Sequence, residues 1–95
     1  MRVEVVSPED VLYSGEATQV VTRTSEGEVA FLANHAPFLG LLVENETRIW
    51  TEDGQVVSVH IPGGFVEVSG NMVSILCEAP VMGGKAADAD DTSGS

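Results

Sequence analysis

Apolar and polar positions alternate from the first residues onward. Val3 and Val5 fall on one side of Arg2–Val6 and Glu4 on the other, the period of a half-buried strand. Ser7-Pro8-Glu9-Asp10 breaks the pattern as a turn cluster, and Val11-Leu12-Tyr13 predicts a short second strand stopped by Ser14-Gly15. Ala17 to Thr24 resumes the alternation, with Val20, Thr22 and Thr24 opposing Gln19, Val21 and Arg23. Ser25-Glu26-Gly27 turns the chain, and Gly27 is the natural place for a positive φ.

The stretch from Glu26 to Gly40, EGEVAFLANHAPFLG, holds two apolar runs separated by Asn34-His35-Ala36-Pro37. Pro37 fixes its own φ and pushes Ala36 towards extended geometry, so this reads as an ordered loop between buried strands. Loops held on a rigid β scaffold often carry contacts to partners. Glu44-Asn45 is a polar break. Thr47 to Thr51 follows, with Arg48 and Trp50 on one face and Ile49 on the other. Asp53-Gly54 predicts a hairpin with a type I′ turn. Gln55 to Ile61 keeps Val57, Val59 and Ile61 in phase, and Pro62-Gly63-Gly64 predicts a bend or bulge. Phe65 to Ser69, the turn Gly70-Asn71 and Met72 to Glu78 complete a last hairpin.

No run has helical period. Turns recur every ~8 to 12 residues between short β-branched segments, which predicts an all-β fold, a flattened antiparallel β-sandwich or barrel of about eight to ten short strands. Residues 1–82 form the expected domain. Residues 83–95, GGKAADADDTSGS, hold no aromatic or β-branched aliphatic side chain and three aspartates, and are expected to be a disordered acidic tail.

Several strands carry apolar residues on both faces. Val73, Ile75 and Cys77 share one side of the last strand, yet Met72 and Leu76 share the other with Ser74. Phe65 and Trp50 also fall out of phase with the main core set. Leaving three or four such side chains wet forgoes several kcal/mol, at about 25 cal/mol per Å². Two readings follow: a closed barrel plugged by large side chains, or a second apolar surface covered by another chain.

Composition narrows the partners. The 95 residues include 4 basic and 15 acidic side chains, a formal charge of −11. That balance argues against binding nucleic acid or anionic lipid directly, since both need a basic face. It fits a basic protein partner, or a merely solvated surface. The single cysteine, Cys77, forms no intrachain disulfide, and its apolar run marks it as a small hydrophobe. No stretch approaches the roughly 20 apolar residues of a membrane span, and no signal-peptide pattern opens the chain, so a cytoplasmic location is expected. His35 and His60 have no metal-ligand spacing, and Gly63-Gly64 precedes neither helix nor lysine as a phosphate loop would. His35 reads as a loop-ordering hydrogen bonder. No catalytic residue, metal or cofactor is expected.

Three co-linear segments, VVSPEDVLYSGEATQVV, EGEVAFLANHAPFLG and GGFVEVSGNMVSILCEAP, resemble the N-terminal domain of the ATP synthase epsilon subunit from about Val3 to Pro80. The resemblance implies a flattened sandwich of short strands at the foot of the central stalk. It implies a noncatalytic subunit that binds gamma on one face, touches the polar loops of the c-ring, and sits peripherally on the cytoplasmic face of the inner membrane. Glu28 matches the position expected to approach basic c-ring loops; Glu26, Asn34, His35 and Pro37 are grouped with it at the same lower end. Trp50, Phe65, Met72 and Leu76 become candidates for the gamma side. Gly63, Gly64 and Phe65 match a GGF/GGI segment that shapes the sandwich edge. Ala33-Asn34 stands where many relatives have Pro-Gly. The inhibitory helical hairpin of typical bacterial relatives is expected to be missing, because the chain runs into the glycine- and aspartate-rich tail. A rival reading is a small β-sandwich module that binds a ligand or peptide; one Trp and one Tyr give it little for an aromatic binding patch.

Overall fold

The computed structural model describes residues 1–78, which contain strands, turns and bends and no helix. Eight strands follow in order: β1 Arg2–Val6, β2 Val11–Thr24, β3 Gly27–Leu32, β4 Phe38–Leu42, β5 Asn45–Thr51, β6 Val56–Ile61, β7 Gly64–Ser69 and β8 Met72–Cys77. They form one continuous sheet, β1-β8-β7-β4-β2-β5-β6, with β3 beside β2 and β1 also paired to β2. The sheet thus closes on itself and flattens into two walls. One wall is β1-β8-β7-β4; the other is β3-β2-β5-β6. The expected boundary at residue 82 and the tail at 83–95 lie outside the described residues.

The period-two pattern decides which side chains fill the interior. Val3 and Val5 of β1, Val66 and Val68 of β7, and Val73, Ile75 and Cys77 of β8 line the first wall. Val20 of β2, Phe31 of β3, Ile49 of β5 and Ile61 of β6 meet them from the second. Nine of these (Val3, Val5, Val20, Phe31, Ile49, Ile61, Val66, Val73 and Ile75) are at most 1% exposed. Burying each such side chain contributes about 1.5–3 kcal/mol. The polar inward positions of β2 and β5 are satisfied locally. The Thr22 and Thr47 hydroxyls lie 2.8 Å apart, and Thr47 donates to Asn45 Oδ1 at 2.9 Å.

Three expectations are corrected. First, Ser14-Gly15 does not end a strand. β2 runs unbroken for 14 residues, pairing Ser14 with Glu4 and Gly15 with Val3. It passes from the first wall to the second at an irregularity between Ala17 and Gln19. A bulge that adds twist does what the sequence suggested a break would do. Second, the sheet is not antiparallel throughout, because β1 and β8 pair in parallel. These strands come from opposite ends of the described chain, and no local turn signal reports their relative direction. Third, Asp53-Gly54 is not a type I′ turn, which needs two left-handed residues. Only Gly54 has positive φ, at 89°. Gly54 N donates to Thr51 O at 3.1 Å and Thr51 N to Gln55 O at 2.8 Å, leaving a loop of Glu52, Asp53 and Gly54. The Thr51 hydroxyl donates to the Asp53 carboxylate and holds its pKa below the ordinary value. The hairpin itself is as expected.

Gly64 opens β7 at φ 148°, where a Cβ would lie 2.0 Å from the Leu76 carbonyl oxygen. Only glycine lets β7 approach β8 this closely.

Candidate partner interface

The outward side of the first wall carries the surplus apolar residues. Register aligns Leu41 of β4 with Phe65 of β7, Phe65 with Leu76 of β8, and Leu76 with Val6 of β1. Leu41, Phe65 and Leu76 are 53%, 47% and 48% exposed, so the row is a continuous apolar ridge in solvent. The neighbouring row is Leu39, Glu67, Ser74 and Glu4, apolar at one end and acidic beyond it. Since Val66 and Ile75 already fill the inner side, the ridge cannot turn in to join the core. The plugged-barrel reading therefore does not account for Phe65 and Leu76.

The four residues expected on the gamma side do not form one patch. Phe65 and Leu76 are directly opposed. Met72, half-buried, pairs with Ser69 at the far end of the same hairpin. Trp50 is on β5, in the second wall, and faces away from all three. Leu41 in the ridge and Leu39 beside it are exposed apolar residues that the sequence pattern does not single out. The apolar run Phe38 to Val43 reads as a wholly buried strand, so nothing in it singles out its outward members.

The second wall has a different outer face. Leu32, Gln19, Trp50 and Val56 form one row, with Leu32 55% and Val56 49% exposed. The next row is Ala30, Val21, Arg48 and Ser58. The Arg48 guanidinium sits 5.5 Å from the Trp50 ring centroid and reaches Glu28 Oε2 with Nη2 at 3.3 Å. Val21 points outward yet is buried, between Ala30 and Arg48 in the pairing.

The five residues expected towards the ring are also divided. Glu26 lies in the exposed β2–β3 turn and Glu28 at the start of β3. Asn34, His35 and Pro37 lie in the loop that follows the other end of β3. At ~3.3 Å per residue a six-residue strand holds the two groups roughly 20 Å apart. The expectation that they share one end of the molecule is therefore corrected. The loop is nevertheless well ordered by its own contacts. Asn34 takes φ 64°, a conformation that asparagine tolerates better than most residues. Its backbone N–H donates to Asn71 Oδ1 at 3.4 Å, tying the loop to the β7–β8 turn. His35 Nδ1 donates to the Ala36 carbonyl at 2.9 Å, and its ring meets Phe31 edge-on at 5.1 Å. His35 is thus a loop-ordering residue, as its neighbours in sequence suggest.

The remaining chemistry is dispersed. His60 Nε2 donates to Glu44 Oε2 at 3.1 Å, and His35 lies in a different loop. No group of three potential metal ligands occurs among the described residues. Two shallow recesses flank β4. One is lined by Pro37, Phe38, Leu39, Glu67, Val68 and Ser69, and the other by Thr24 to Glu26 with Phe38 to Leu41. Each holds a single titratable group. Cys77 is buried, and desolvation raises its thiol pKa above the ordinary value.

Residues 1–83 match the beta-sandwich domain of the ATP synthase Delta/Epsilon chain. The sequence is 43% identical over 84 residues to the ATP synthase epsilon chain of Brevibacillus brevis, covering 88% of this chain and 64% of that one. It is 42% identical over 78 residues to the epsilon chain of Frankia casuarinae, covering 82% and 92% respectively. The chain thus spans just under two thirds of the first relative and nearly all of the second. The fold is similar to a chain in the cryo-EM structure of the Euglena gracilis mitochondrial ATP synthase OSCP/F1/c-ring, with TM-score 0.74 and 23% identity over 79% of this chain and 48% of that one. It is also similar to a chain in the central stalk/c-ring structure of the Tetrahymena thermophila enzyme, with TM-score 0.67 and 18% identity over 81% and 62%. At these identities the structural likeness speaks for the fold.

Proposed function

Because the chain belongs to the Delta/Epsilon beta-sandwich family of ATP synthase, we propose that it serves as a noncatalytic subunit of the central stalk, joining the gamma subunit to the c-ring. The observation that carries this reading is the ridge Leu41–Phe65–Leu76, exposed on a wall whose interior is already filled. A neighbouring protein that covers the ridge removes three large apolar side chains from water. The gamma subunit is the occupant that the family implies. Glu67 and Glu4 beside the ridge, and the chain's −11 charge, favour a gamma surface with basic residues at its rim.

Glu28 is the residue proposed to meet the ring. It is exposed at the β2–β3 corner, on the wall opposite the ridge. Its carboxylate is suited to basic residues on polar ring loops. The HAP loop, Asn34 to Pro37, is placed by β3 at a distance from Glu28 and is assigned to the stalk rather than to the same ring contact. Under this reading rotation of the ring reaches gamma through a stiff closed barrel, with no chemistry performed by the chain itself. Attachment to the membrane is peripheral, at its cytoplasmic face and through the ring. No helix among the described residues is long and apolar enough to cross a bilayer.

Pull-down of purified gamma by the purified chain tests the reading. Stoichiometric capture is expected, and a Phe65→Ser/Leu76→Ser variant should lose it. Failure of the unaltered chain to retain gamma at micromolar concentration would refute the proposal.

A further inference from the structure

We propose that Arg48 is a positioning residue for Glu28, and that Trp50 in turn holds Arg48. This rests on the reading that Glu28 meets a basic partner. Three observations on the second wall support it.

Arg48 Nη2 makes one contact, to Glu28 Oε2 at 3.3 Å, and Glu28 Oε1 accepts no hydrogen bond from the described residues. One carboxylate oxygen is therefore held and the other is free for an incoming cation. The guanidinium is itself fixed over the Trp50 ring at 5.5 Å. Its neighbour Val21 is buried although it faces outward, as it would be under the aliphatic stem of Arg48.

A glutamate at an exposed strand end has several rotamers, and ordering it on binding weakens association. Arg48 orders it beforehand. The cost is a positive charge near a basic partner. These two effects have opposite signs, which makes the proposal decidable. If positioning dominates, removal of Arg48 weakens binding to the ring; if repulsion dominates, removal strengthens it.

The test uses the chain assembled with gamma on purified c-ring in nanodiscs, with dissociation measured at fixed salt. The variants are Arg48→Met, which keeps an apolar stem over Val21, Arg48→Gln as a second replacement, Arg48→Lys, Glu28→Gln, and Glu28→Gln/Arg48→Met. Arg48→Met and Arg48→Gln should weaken ring binding about threefold to tenfold, the range for ordering one flexible side chain. Arg48→Lys, which retains the charge, a donor for Glu28 and the ability to sit over the Trp50 ring, should restore binding to within about twofold of the unaltered chain. The double variant should bind no more weakly than Glu28→Gln alone, because Arg48 acts through Glu28. Unchanged or tighter binding by both uncharged variants, failure of Arg48→Lys to restore it, or additive effects in the double variant would each overturn the role of Arg48. An effect of Glu28→Gln without one of Arg48→Met overturns this inference alone. No effect of Glu28→Gln removes the ring-facing reading of Glu28, and the positioning role with it.

Discussion

Replacing Gly64 by alanine should cost far more than any other small change in the chain, for a reason that can be worked from distances. A Cβ built there lies 2.0 Å from Leu76 O, 2.9 Å from Leu76 C and 3.0 Å from Cys77 Cα. All three are backbone atoms, so no side chain can rotate away. The backbone φ of 148° is also one that L residues seldom adopt, worth about 1–3 kcal/mol. Relieving the clash must part β7 from β8 at the Gly64–Cys77 pair. Losing one or two net hydrogen bonds adds about 1 kcal/mol each. The sum is roughly 2–5 kcal/mol, which lowers Tm by ~8–40 °C at about 4–8 °C per kcal/mol for a domain of this size. Gly70→Ala is the control. Its φ is 62° and nothing lies within 4 Å of the added carbon, so only the conformational part applies, about 1 kcal/mol and ~4–8 °C. Thermal melts followed by far-ultraviolet circular dichroism compare the two. If Gly64→Ala melts no lower than Gly70→Ala, the close approach of β7 to β8 is wrong, and with it the alignment of Phe65 with Leu76.

Phe65→Ser/Leu76→Ser should weaken gamma binding at least tenfold, about 1.4 kcal/mol, while the chain still folds with a modestly lowered Tm, since both side chains are half exposed and only one cross-strand pair is lost; intact binding by the folded variant would refute the ridge as an interface. Thr22→Val and Thr47→Val should each cost about 1–3 kcal/mol by denaturant melts, because the two hydroxyls are 2.8 Å apart and buried; the double variant should cost less than the sum. Desolvation holds the Cys77 thiol pKa above its ordinary value, so as pH rises past that value the unfolded chain sheds a proton that the folded chain keeps, and stability falls. Cys77→Ala should lose less stability than the unaltered chain between pH 7 and pH 10, and equal losses would refute this. Glu28→Lys places a second cation at Arg48 and should weaken coupled ATP synthesis in the reconstituted complex while the isolated chain melts normally; undiminished synthesis would count against the ring contact.

The division between what the sequence reveals and what it conceals follows the reach of each signal. Period-two alternation depends on one strand at a time. It correctly sent Val73, Ile75 and Cys77 inward and left Leu76 outward. Turn signals depend on a few adjacent residues, and they placed the β5–β6 and β7–β8 hairpins. Neither signal says which strands become neighbours across the fold. Trp50 and Phe65 look alike in sequence, each a large aromatic out of phase with the core, yet they stand on opposite walls. Glu28 and His35 are seven positions apart, and only the extended form of β3 separates them. The parallel pairing of β1 with β8 joins residues about 70 positions apart and leaves no local trace. Arg48 has its meaning only beside Glu28, which is 20 residues away along the chain and on a different strand.

The placement of the two proposed contacts on opposite walls has a mechanical consequence. A load applied at Glu28 must cross the molecule to reach the Leu41–Phe65–Leu76 ridge. Among the described residues β2 is the one strand that belongs to both walls: it pairs with β1, β3, β4 and β5. Its 14 residues carry the load through backbone hydrogen bonds, not through loops. The change of wall falls at the irregularity between Ala17 and Gln19, so compliance should concentrate there. Ala17 is buried and Thr18 ties the bulge to β5 by donating to Trp50 O at 3.3 Å. Thr18→Val removes that bond while keeping the side-chain shape. It should therefore raise amide hydrogen exchange locally around residues 17–19, with both contact faces unaltered. Exchange that stays at its original rate there would mean the bulge is held by the ladder alone, and the two walls would then be joined more rigidly than the Thr18 bond implies.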